Sequence, residues 1–364
     1  MKKGIEVIIL IACILCLNIQ IVLADSLQLS GESYVLMDEI SGRVLAEKNA
    51  YRQMPMASTT KIMTALVAIE NTNSIEDKVL IDEHSIGIEG SSIYLEKDEV
   101  ISLKDLLYGL MLQSGNDAAI AISRYIGKTE DRFVSMMNDK AMEINALNTH
   151  FENPHGLNHV NHYSTSYDLA IITREALKSS VFADIFSTKS YTANRPKNNY
   201  FINKNKTLWE YEGGDGGKTG YTMASGRCLV STSNRNGFRL IAVSLNAPNW
   251  FNDNYRLLDY GFENYKHYLI YDKGQFIKKA NVLNGKNDVD LVIDNALIYP
   301  LREEEKESIK TNIVVDENIH APIIKGQKLG YIETYLDGKL IRTENLLAKH
   351  DVHKKNIIDK IMKR

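Results

Sequence analysis

The apolar pattern of the chain predicts a buried helix that starts close to residue 58. The stretch from Ile62 to Ile69 is almost wholly apolar and consists of good helix formers. Pro55, Ala57 and Ser58 before it are typical of a helix start. Because a helix that is apolar on all sides belongs in the centre of a domain, we expect the fold to be organised around this segment.

Apolar residues also recur at intervals of three to four positions after this helix. This spacing predicts further helices over Leu103–Leu112, Asp117–Tyr125, Met136–Leu147 and Asp168–Leu177. Residues 58–180 are therefore expected to form a mainly helical lobe.

Two antiparallel hairpins are predicted, one on either side of this lobe. Each has two apolar strands around a polar turn: 34–37 and 43–46 around 39–42, and 227–232 and 239–245 around 234–237. The pattern indicates an antiparallel sheet built from both ends of one domain, with helices between them. This is an α/β fold without repeating parallel βαβ units.

The pattern changes after Phe262. Short apolar alternations appear at 275–277, 289–293, 313–315 and 329–332, with Asn284-Gly285 and Asp337-Gly338 as hairpin-type dipeptides between them. They predict a small all-β domain over residues 268–345. Residues 346–364 are predicted to form a basic amphipathic helix, with an apolar face at Ile357, Ile358, Ile361 and Met362. Such a tail suits peripheral contact with anionic membrane, and the alternative is a solvated basic tail.

Residues 1–24 are predicted to be an export signal. Lys2 and Lys3 precede a mostly apolar stretch that ends at Ala24. Its removal would leave Cys228 as the only cysteine, so the mature chain would have no internal disulfide. These features indicate a bacterial envelope protein, outside the cytoplasm and peripheral at the outer face of the cytoplasmic membrane.

Composition changes this picture little. A chain of 364 residues suggests roughly two domains, here over 25–267 and 268–345 before the tail. The net charge of −3 gives no reason to expect a nucleic-acid partner.

The candidate chemistry lies at the start of the predicted central helix. Lys61 follows Ser58 by one turn, so a hydroxyl and an amine would share the positive end of a buried helix. This arrangement can activate a serine without a histidine. Serine is also a common N-cap, so the pair alone does not establish catalysis.

Two later motifs support a catalytic role. Ser114-Gly115-Asn116 and Lys218-Thr219-Gly220 follow Ser58-x-x-Lys61 in the order found in active-serine penicillin-recognising enzymes. More of the chain, about Ser33 to Phe262, resembles the D-alanyl-D-alanine carboxypeptidases among the low-molecular-mass penicillin-binding proteins. The segments that carry the resemblance are 54–65, 153–157, 162–165, 168–170 and 257–262.

The resemblance implies a penicillin-binding, β-lactamase-like transpeptidase fold and peptidoglycan stem peptides as substrates. Ser58 would attack the carbonyl of the penultimate D-alanine, or the ring of a β-lactam antibiotic, and form an acyl-enzyme. Lys61 would accept the serine proton, and a cation such as Lys218 about 4 Å away would lower its pKa. Ser114 would bridge Lys61 and the leaving amine as a proton relay.

The remaining site residues would bind substrate. Asn116 would hold a substrate amide, and Lys218 with Thr219 would hold the free terminal carboxylate. Gly220 would let the strand approach the substrate closely. The backbone N–H groups of Ser58 and Tyr221 would form the oxyanion hole.

Other functions stay open at this point. A zinc peptidase could use the histidines of an H-x₃-H-x₂-H pattern and nearby side chains, namely His155, His159, His162, Glu152 and His150. Pro154 and Gly156 argue against the helix that would align them, so we expect neither a metal nor another cofactor. A D,D-endopeptidase and a non-catalytic penicillin-binding wall-recognition module are further alternatives. Arg227 and Arg256 are the candidate partners of the substrate carboxylate.

Overall fold

A computed structural model describes residues 27–356, so the predicted signal at 1–24 lies outside the described residues. The described chain forms two compact units, the first ending at Glu263 and the second beginning at Asn264. The predicted boundary at 267 therefore falls inside the first strand of the second unit. None of the helices within residues 27–356 is long and apolar enough to cross a membrane.

The strands of the first unit are numbered along the chain: β1 (Ser33–Asp38), β2 (Val44–Lys48), β3 (Lys78–Leu80), β4 (Val100–Ser102), β5 (Ser190–Thr192), β6 (Tyr200–Ile202), β7 (Gly214–Thr222), β8 (Gly226–Arg235) and β9 (Phe238–Leu245). The central sheet has the order β2-β1-β9-β8-β7, and every neighbouring pair is antiparallel. Both predicted hairpins are confirmed. Because β1 pairs with β9, the two ends of the unit meet in one sheet, as the pattern indicated.

The turn between β8 and β9 shows why the second hairpin could be predicted. Asn236 and Gly237 both have positive φ, 55° and 84°, and Arg235 faces Phe238 across the turn. A two-residue turn of this kind matches the twist of the flanking strands and favours Asn-Gly.

The helices of the first unit are α1 (Lys61–Glu70), α2 (Leu103–Leu112), α3 (Asn116–Gly127), α4 (Glu130–Glu143), α5 (Ser166–Ala176), α6 (Ser180–Ser187), α7 (Thr207–Glu210) and α8 (Trp250–Asn264). Helix α1 is buried from Lys61 to Ala68 and lies within one core with helices α2 to α6 and the central sheet. The prediction of a central apolar helix is therefore confirmed.

Helix α4 differs from its prediction. It covers Glu130–Glu143, whereas the apolar spacing predicted 136–147. Its start is fixed by Thr129, whose hydroxyl accepts a hydrogen bond from the amide of Arg132 at 3.2 Å. The cap at Thr129, rather than the apolar periodicity, therefore determines where this helix begins. The chain then leaves the helix before Asn145, which has a φ of 63°.

The second unit is a β domain with strands β10 (Lys266–Tyr271), β11 (Phe276–Ala280), β12 (Val289–Ile293), β13 (Leu297–Leu301), β14 (Ile309–Val315), β15 (Lys328–Leu336) and β16 (Lys339–Ala348). Five of them form a sheet of order β11-β12-β16-β15-β14. The turn at Asp337-Gly338 joins β15 to β16, whereas Asn284-Gly285 lies within the longer connection between β11 and β12.

The predicted helix from 346 to 364 is wrong at its beginning. Residues 346–348 are the last three of β16, in register with β12, and Leu346 and Ala348 are buried. These residues therefore alternate between buried and outward-facing positions on a strand instead of forming one face of a helix. Val352 still pairs with Ile323, so the β domain extends past the predicted boundary at 345. Residues 357–364, which carry the predicted apolar face, lie outside the described residues.

Helix α8 packs on the central sheet through a glycine. A Cβ at Gly261 would lie 2.5 Å from Cδ1 of Leu240 and 2.9 Å from Cδ2 of Leu36. A larger residue would push the helix away from strands β9 and β1. We expect Gly261→Leu to lower the free energy of unfolding of the first unit by about 1–3 kcal/mol.

Urea unfolding followed by tryptophan fluorescence measures this change. Asn252→Leu places the same side chain at an exposed position of α8 and is the matched control. It should change stability by less than about 0.5 kcal/mol. Equal stability of the two variants would contradict the packing argument.

Candidate active site

Ser58 lies in a short 3-10 turn, Ala57–Thr60, that leads directly into α1. The hydroxyls of Thr59 and Thr60 donate to the carbonyls of Met56 and Ala57 at 2.7 and 2.8 Å, which fixes the turn from inside. Ala57 has a φ of 48°, a conformation that L-residues with a side chain rarely adopt. The chain therefore holds the candidate nucleophile in a locally strained turn.

Lys61 is fully buried and lies at the centre of the site. Its Nζ donates to Oγ of Ser58 at 3.0 Å, to Oδ1 of Asn116 at 2.7 Å and to the carbonyl oxygen of His155 at 2.6 Å. The three partners come from separate parts of the chain. The structure thus brings together Ser58, Lys61 and Asn116, as the motifs predicted.

The three contacts suit a neutral amine as well as an ammonium group. The oxygens of Asn116 and His155 can only accept, so each takes one N–H of Lys61. A neutral amine has two N–H groups and one lone pair. With both N–H groups engaged, the lone pair is left for the hydroxyl proton of Ser58, which is the geometry a general base requires.

The electrostatics also favour the neutral amine. Burial, and then the charge of Lys218, hold the pKa of Lys61 well below its ordinary value, while Asp117 acts in the opposite direction. The sequence predicts a lowering by Lys218 and by the helix start, whereas in the structure removal from water is the largest cause. Burial, and then the charge of Lys204, also lowers the pKa of Lys218, to about 7.

Lys218 reaches the site from the edge strand β7 and is also fully buried. Its Nζ donates to Oγ of Ser114 at 3.0 Å and to the carbonyl oxygen of Thr219 at 2.8 Å. Ser114 follows α2 with a φ of 62°, which separates that helix from α3. The bond between Ser114 and Lys218 was not expected from the sequence, which linked Ser114 to Lys61.

Asn116 is held by the segment 89–91, which no sequence motif marks as part of the site. Its Nδ2 donates to the carbonyl oxygen of Glu89 at 2.5 Å, and its backbone N–H donates to the carbonyl oxygen of Ser91 at 2.7 Å. These bonds turn Oδ1 of Asn116 toward Lys61. The polar Gly90-Ser91-Ser92 run predicts only a turn, since backbone carbonyls leave no mark on a sequence.

Gly220 brings strand β7 against the nucleophile. A Cβ at this position would lie 2.9 Å from the backbone nitrogen of Ser58 and 3.1 Å from the carbonyl oxygen of Met56. Any side chain would therefore collide with the serine turn. Thr219 and Tyr221 flank Gly220 on the same strand, and the side chain of Tyr221 is exposed.

The histidines near the site are engaged in local structure. Nδ1 of His162 accepts from the backbone N–H of Glu152 at 3.0 Å, and its Nε2 bonds the hydroxyl of Thr60 at 2.8 Å. Nδ1 of His155 accepts from the amide of Leu157 at 3.1 Å. Among residues 27–356 no group of three or more His, Cys, Asp or Glu side chains is arranged to hold a metal ion. The described chain therefore offers the zinc hypothesis no ligand set.

The two candidate arginines make bonds to backbone elsewhere. Arg227 donates to the carbonyl oxygen of Pro248 at 2.7 Å and lies over the ring of Trp250. Arg256 donates to the carbonyl oxygen of Gln28 at 3.2 Å. Arg227 also lies opposite Tyr221 in the pairing of β7 with β8.

The fold and the site together define a class. An antiparallel sheet beside a helical lobe, with a serine one turn before a buried lysine, is the arrangement of active-serine acyl-transfer enzymes that recognise penicillin. A family model described as D-alanyl-D-alanine carboxypeptidase matches residues 20–249, and one described as penicillin-binding protein 5, C-terminal domain, matches residues 265–354. The chain belongs to the D-alanyl-D-alanine carboxypeptidase family of serine peptidases.

Relatives support this assignment over most of the chain. D-alanyl-D-alanine carboxypeptidase DacF of Bacillus subtilis is 35% identical over 90% of this chain and 87% of its own length. DacA of Haemophilus influenzae is 33% identical over 92% of this chain and 88% of its own. The solved structure of penicillin-binding protein 5 from Haemophilus influenzae has a TM-score of 0.78 at 31% identity and covers 90% of this chain and 98% of its own.

The lowered pKa of Lys61 generates a pH prediction. If Lys61 must be neutral to act, acylation rises with pH as this group loses its proton. Lys218, with its own pKa lowered to about 7, is charged in the lower part of this pH range, and there Lys218→Gln removes a positive charge, which raises the pKa of Lys61 and moves the acid limb to higher pH. The rate constant for acylation by benzylpenicillin, measured from pH 5 to pH 10, gives the position of the limb.

The acylation rate of Lys218→Gln should also fall at every pH. The quantity to compare is therefore the pH at which the acid limb lies, and not the absolute rate. Lys206→Gln removes the charge of an exposed lysine shortly before β7 and serves as the control. Its profile should coincide with that of the wild type. A limb that stays in place in Lys218→Gln would show that this charge does not act on the base.

Proposed function

We propose that the carboxypeptidase reaction proceeds through an acyl-enzyme on Ser58. Lys61 accepts the proton of Oγ as this atom attacks the carbonyl carbon of the penultimate D-alanine of a peptidoglycan stem peptide. The backbone N–H groups of Ser58 and Tyr221 would donate to the oxygen that becomes negative. The observation that supports this most directly is the set of three contacts around the Nζ of Lys61.

Breakdown of the tetrahedral intermediate breaks the C–N bond and releases the terminal D-alanine. Its amine needs a proton, and the proton that Lys61 took from Ser58 would reach it through the hydroxyl of Ser114, which gives up one proton and takes up the other while its oxygen accepts a hydrogen bond from Lys218. Water then hydrolyses the ester and restores Ser58. The same attack on a β-lactam ring would leave a penicilloyl ester, whose hydrolysis we expect to be slow.

Substrate binding would use the groups that surround this cluster. Lys218 and Thr219 would hold the terminal carboxylate, which accounts for cleavage at the C-terminal residue. Asn116 uses one N–H of its amide for Glu89, so its second N–H would be available to a substrate carbonyl. A D,D-endopeptidase would need the same residues but a cross-linked substrate.

Export and membrane contact are proposals from the sequence. Residues 1–24 would direct the chain out of the cytoplasm, and the basic residues of 346–364 would favour contact with anionic lipid. Both segments lie wholly or partly outside the described residues. Cell fractionation of the full chain beside a chain ending at residue 356 would test the tail.

Mass spectrometry tests the acyl-enzyme. Incubation with benzylpenicillin should add one penicilloyl mass to the wild type and to Ser187→Ala, a control that removes an exposed hydroxyl on α6. Ser58→Ala should gain no mass, because the nucleophilic oxygen is absent. An adduct on Ser58→Ala would overturn the assignment.

Release of D-alanine from a stem pentapeptide tests the reaction itself. The wild type should release it with or without a chelator, and Ser58→Ala should not. A wall-recognition module would form the penicillin adduct without releasing D-alanine. A zinc peptidase would keep its activity in Ser58→Ala and lose it with the chelator, whereas an endopeptidase would cleave cross-linked dimers in preference to the pentapeptide.

A further inference from the structure

One acceptor of Lys61 is a backbone carbonyl, which cannot hold its own position. The carbonyl of His155 belongs to a loop between α4 and α5, without regular secondary structure around it. Its bond to Nζ of Lys61 is 2.6 Å long, the shortest of the three at this amine. Some other group must therefore fix the direction of this carbonyl.

The side chain of Asn153 spans this loop with three hydrogen bonds. Its Oδ1 accepts from the backbone N–H of His155 at 3.3 Å and of Gly156 at 2.7 Å. Its Nδ2 donates to the carbonyl oxygen of Leu157 at 3.0 Å. Because Asn153 binds both amides that flank the carbonyl of His155, it fixes the peptide plane to which this oxygen belongs.

The loop is also aligned with helix α1. The carbonyl oxygen of Pro154 accepts from the hydroxyl of Thr64 at 2.6 Å, and the next carbonyl accepts from Lys61. Thr64 and Lys61 lie one turn apart on the same helix face. Gly156, with a φ of 91°, packs so closely that a Cβ would lie 2.0 Å from the carbonyl oxygen of Ala57. The loop thus lies directly against the turn of the nucleophile.

We propose that Asn153 is a positioning residue for acylation, acting through the carbonyl of His155 to orient the amine of Lys61 toward the hydroxyl of Ser58. The inference rests on the proposed role of Lys61 as the base. Asn153 itself need not touch substrate. Without it, the carbonyl can turn away, one N–H of Lys61 loses its acceptor and the lone pair is no longer held toward Ser58.

The loss of this acceptor has a second consequence. A carbonyl that accepts from an amine stabilises the ammonium form more than the neutral form, so its loss lowers the pKa of Lys61 further. The other titratable groups around Lys61 are Lys218, Asp117 and the rings of His155 and His162. Burial lowers the pKa of both rings to about 3, so they stay neutral across the pH range of the assay, whereas Lys218, with a pKa of about 7, loses its charge within that range in the wild type and in the Asn153 variants alike.

The test compares Asn153→Ala with Asn138→Ala by benzylpenicillin acylation from pH 5 to pH 10. Asn138 is a matched control: it is partly buried and also makes three bonds, accepting from the amide of Phe151 and donating to the carbonyls of Phe151 and Val134. Asn138 binds the same loop at Phe151, which is four residues before His155. Thermal unfolding of both variants measures the structural loss that they should share.

Asn153→Ala should reduce the acylation rate constant between about 10-fold and 100-fold. Its acid limb should move by about one unit to lower pH, opposite to the shift in Lys218→Gln. Asn153→Asp keeps an acceptor oxygen for the two amides, so it should recover most of the rate without that downward shift. Asn138→Ala should keep the wild-type rate and profile.

Equal rates and profiles in Asn153→Ala and Asn138→Ala would overturn the inference, as would an Asn153→Asp variant no faster than Asn153→Ala. Either result leaves the proposed function standing as long as the wild type forms the adduct and Ser58→Ala does not. If the wild type forms no adduct, the proposed function fails first and the rate comparison has no basis.

Discussion

A buried amine is costly unless it is hydrogen-bonded, so the amine of Lys61 requires oxygen acceptors around it. The packing of the first unit provides them. The oxygens come from the turn before α1, from the first residue of α3 and from the loop that contains His155. None of these segments is close to another in sequence. They can meet only if the helical lobe is packed correctly, so the satisfaction of one buried group depends on the arrangement of the whole unit.

Close backbone approach gives the site its rigidity. Two glycines let the backbone of other segments pack closely against the turn that carries Ser58. Gly220 belongs to strand β7, and Gly156 belongs to the loop between α4 and α5. The side-chain hydroxyls of Thr59 and Thr60 fix the same turn from within. The serine is therefore confined on several sides before any substrate arrives, which limits the reorganisation that the reaction requires.

Local sequence patterns predicted those features of the fold and of the site that are determined by side chains. The apolar run after Ser58 predicted α1, the Asn-Gly turn predicted the β8–β9 hairpin, and three short motifs identified side chains that do converge. Features that depend on the backbone were not predicted. The carbonyls of Glu89 and His155, which orient Asn116 and Lys61, have no residue type that marks them. Capping by Thr129 displaced α4, and continued strand pairing replaced the expected helix at 346–348.

The pairing of β1 with β9 has a consequence for the order in which the protein can fold. Ser33 faces Leu245, so the sheet closes only after nearly the whole first unit has been synthesised. Contacts between such distant segments form slowly, because a long loop must close before they stabilise anything. Strand β7, which brings Lys218 to the serine, reaches its place in the same sheet through β8. A nascent chain therefore carries the hydroxyl of Ser58 without the charge of Lys218 beside it until strand β7, residues 214–222, has been synthesised.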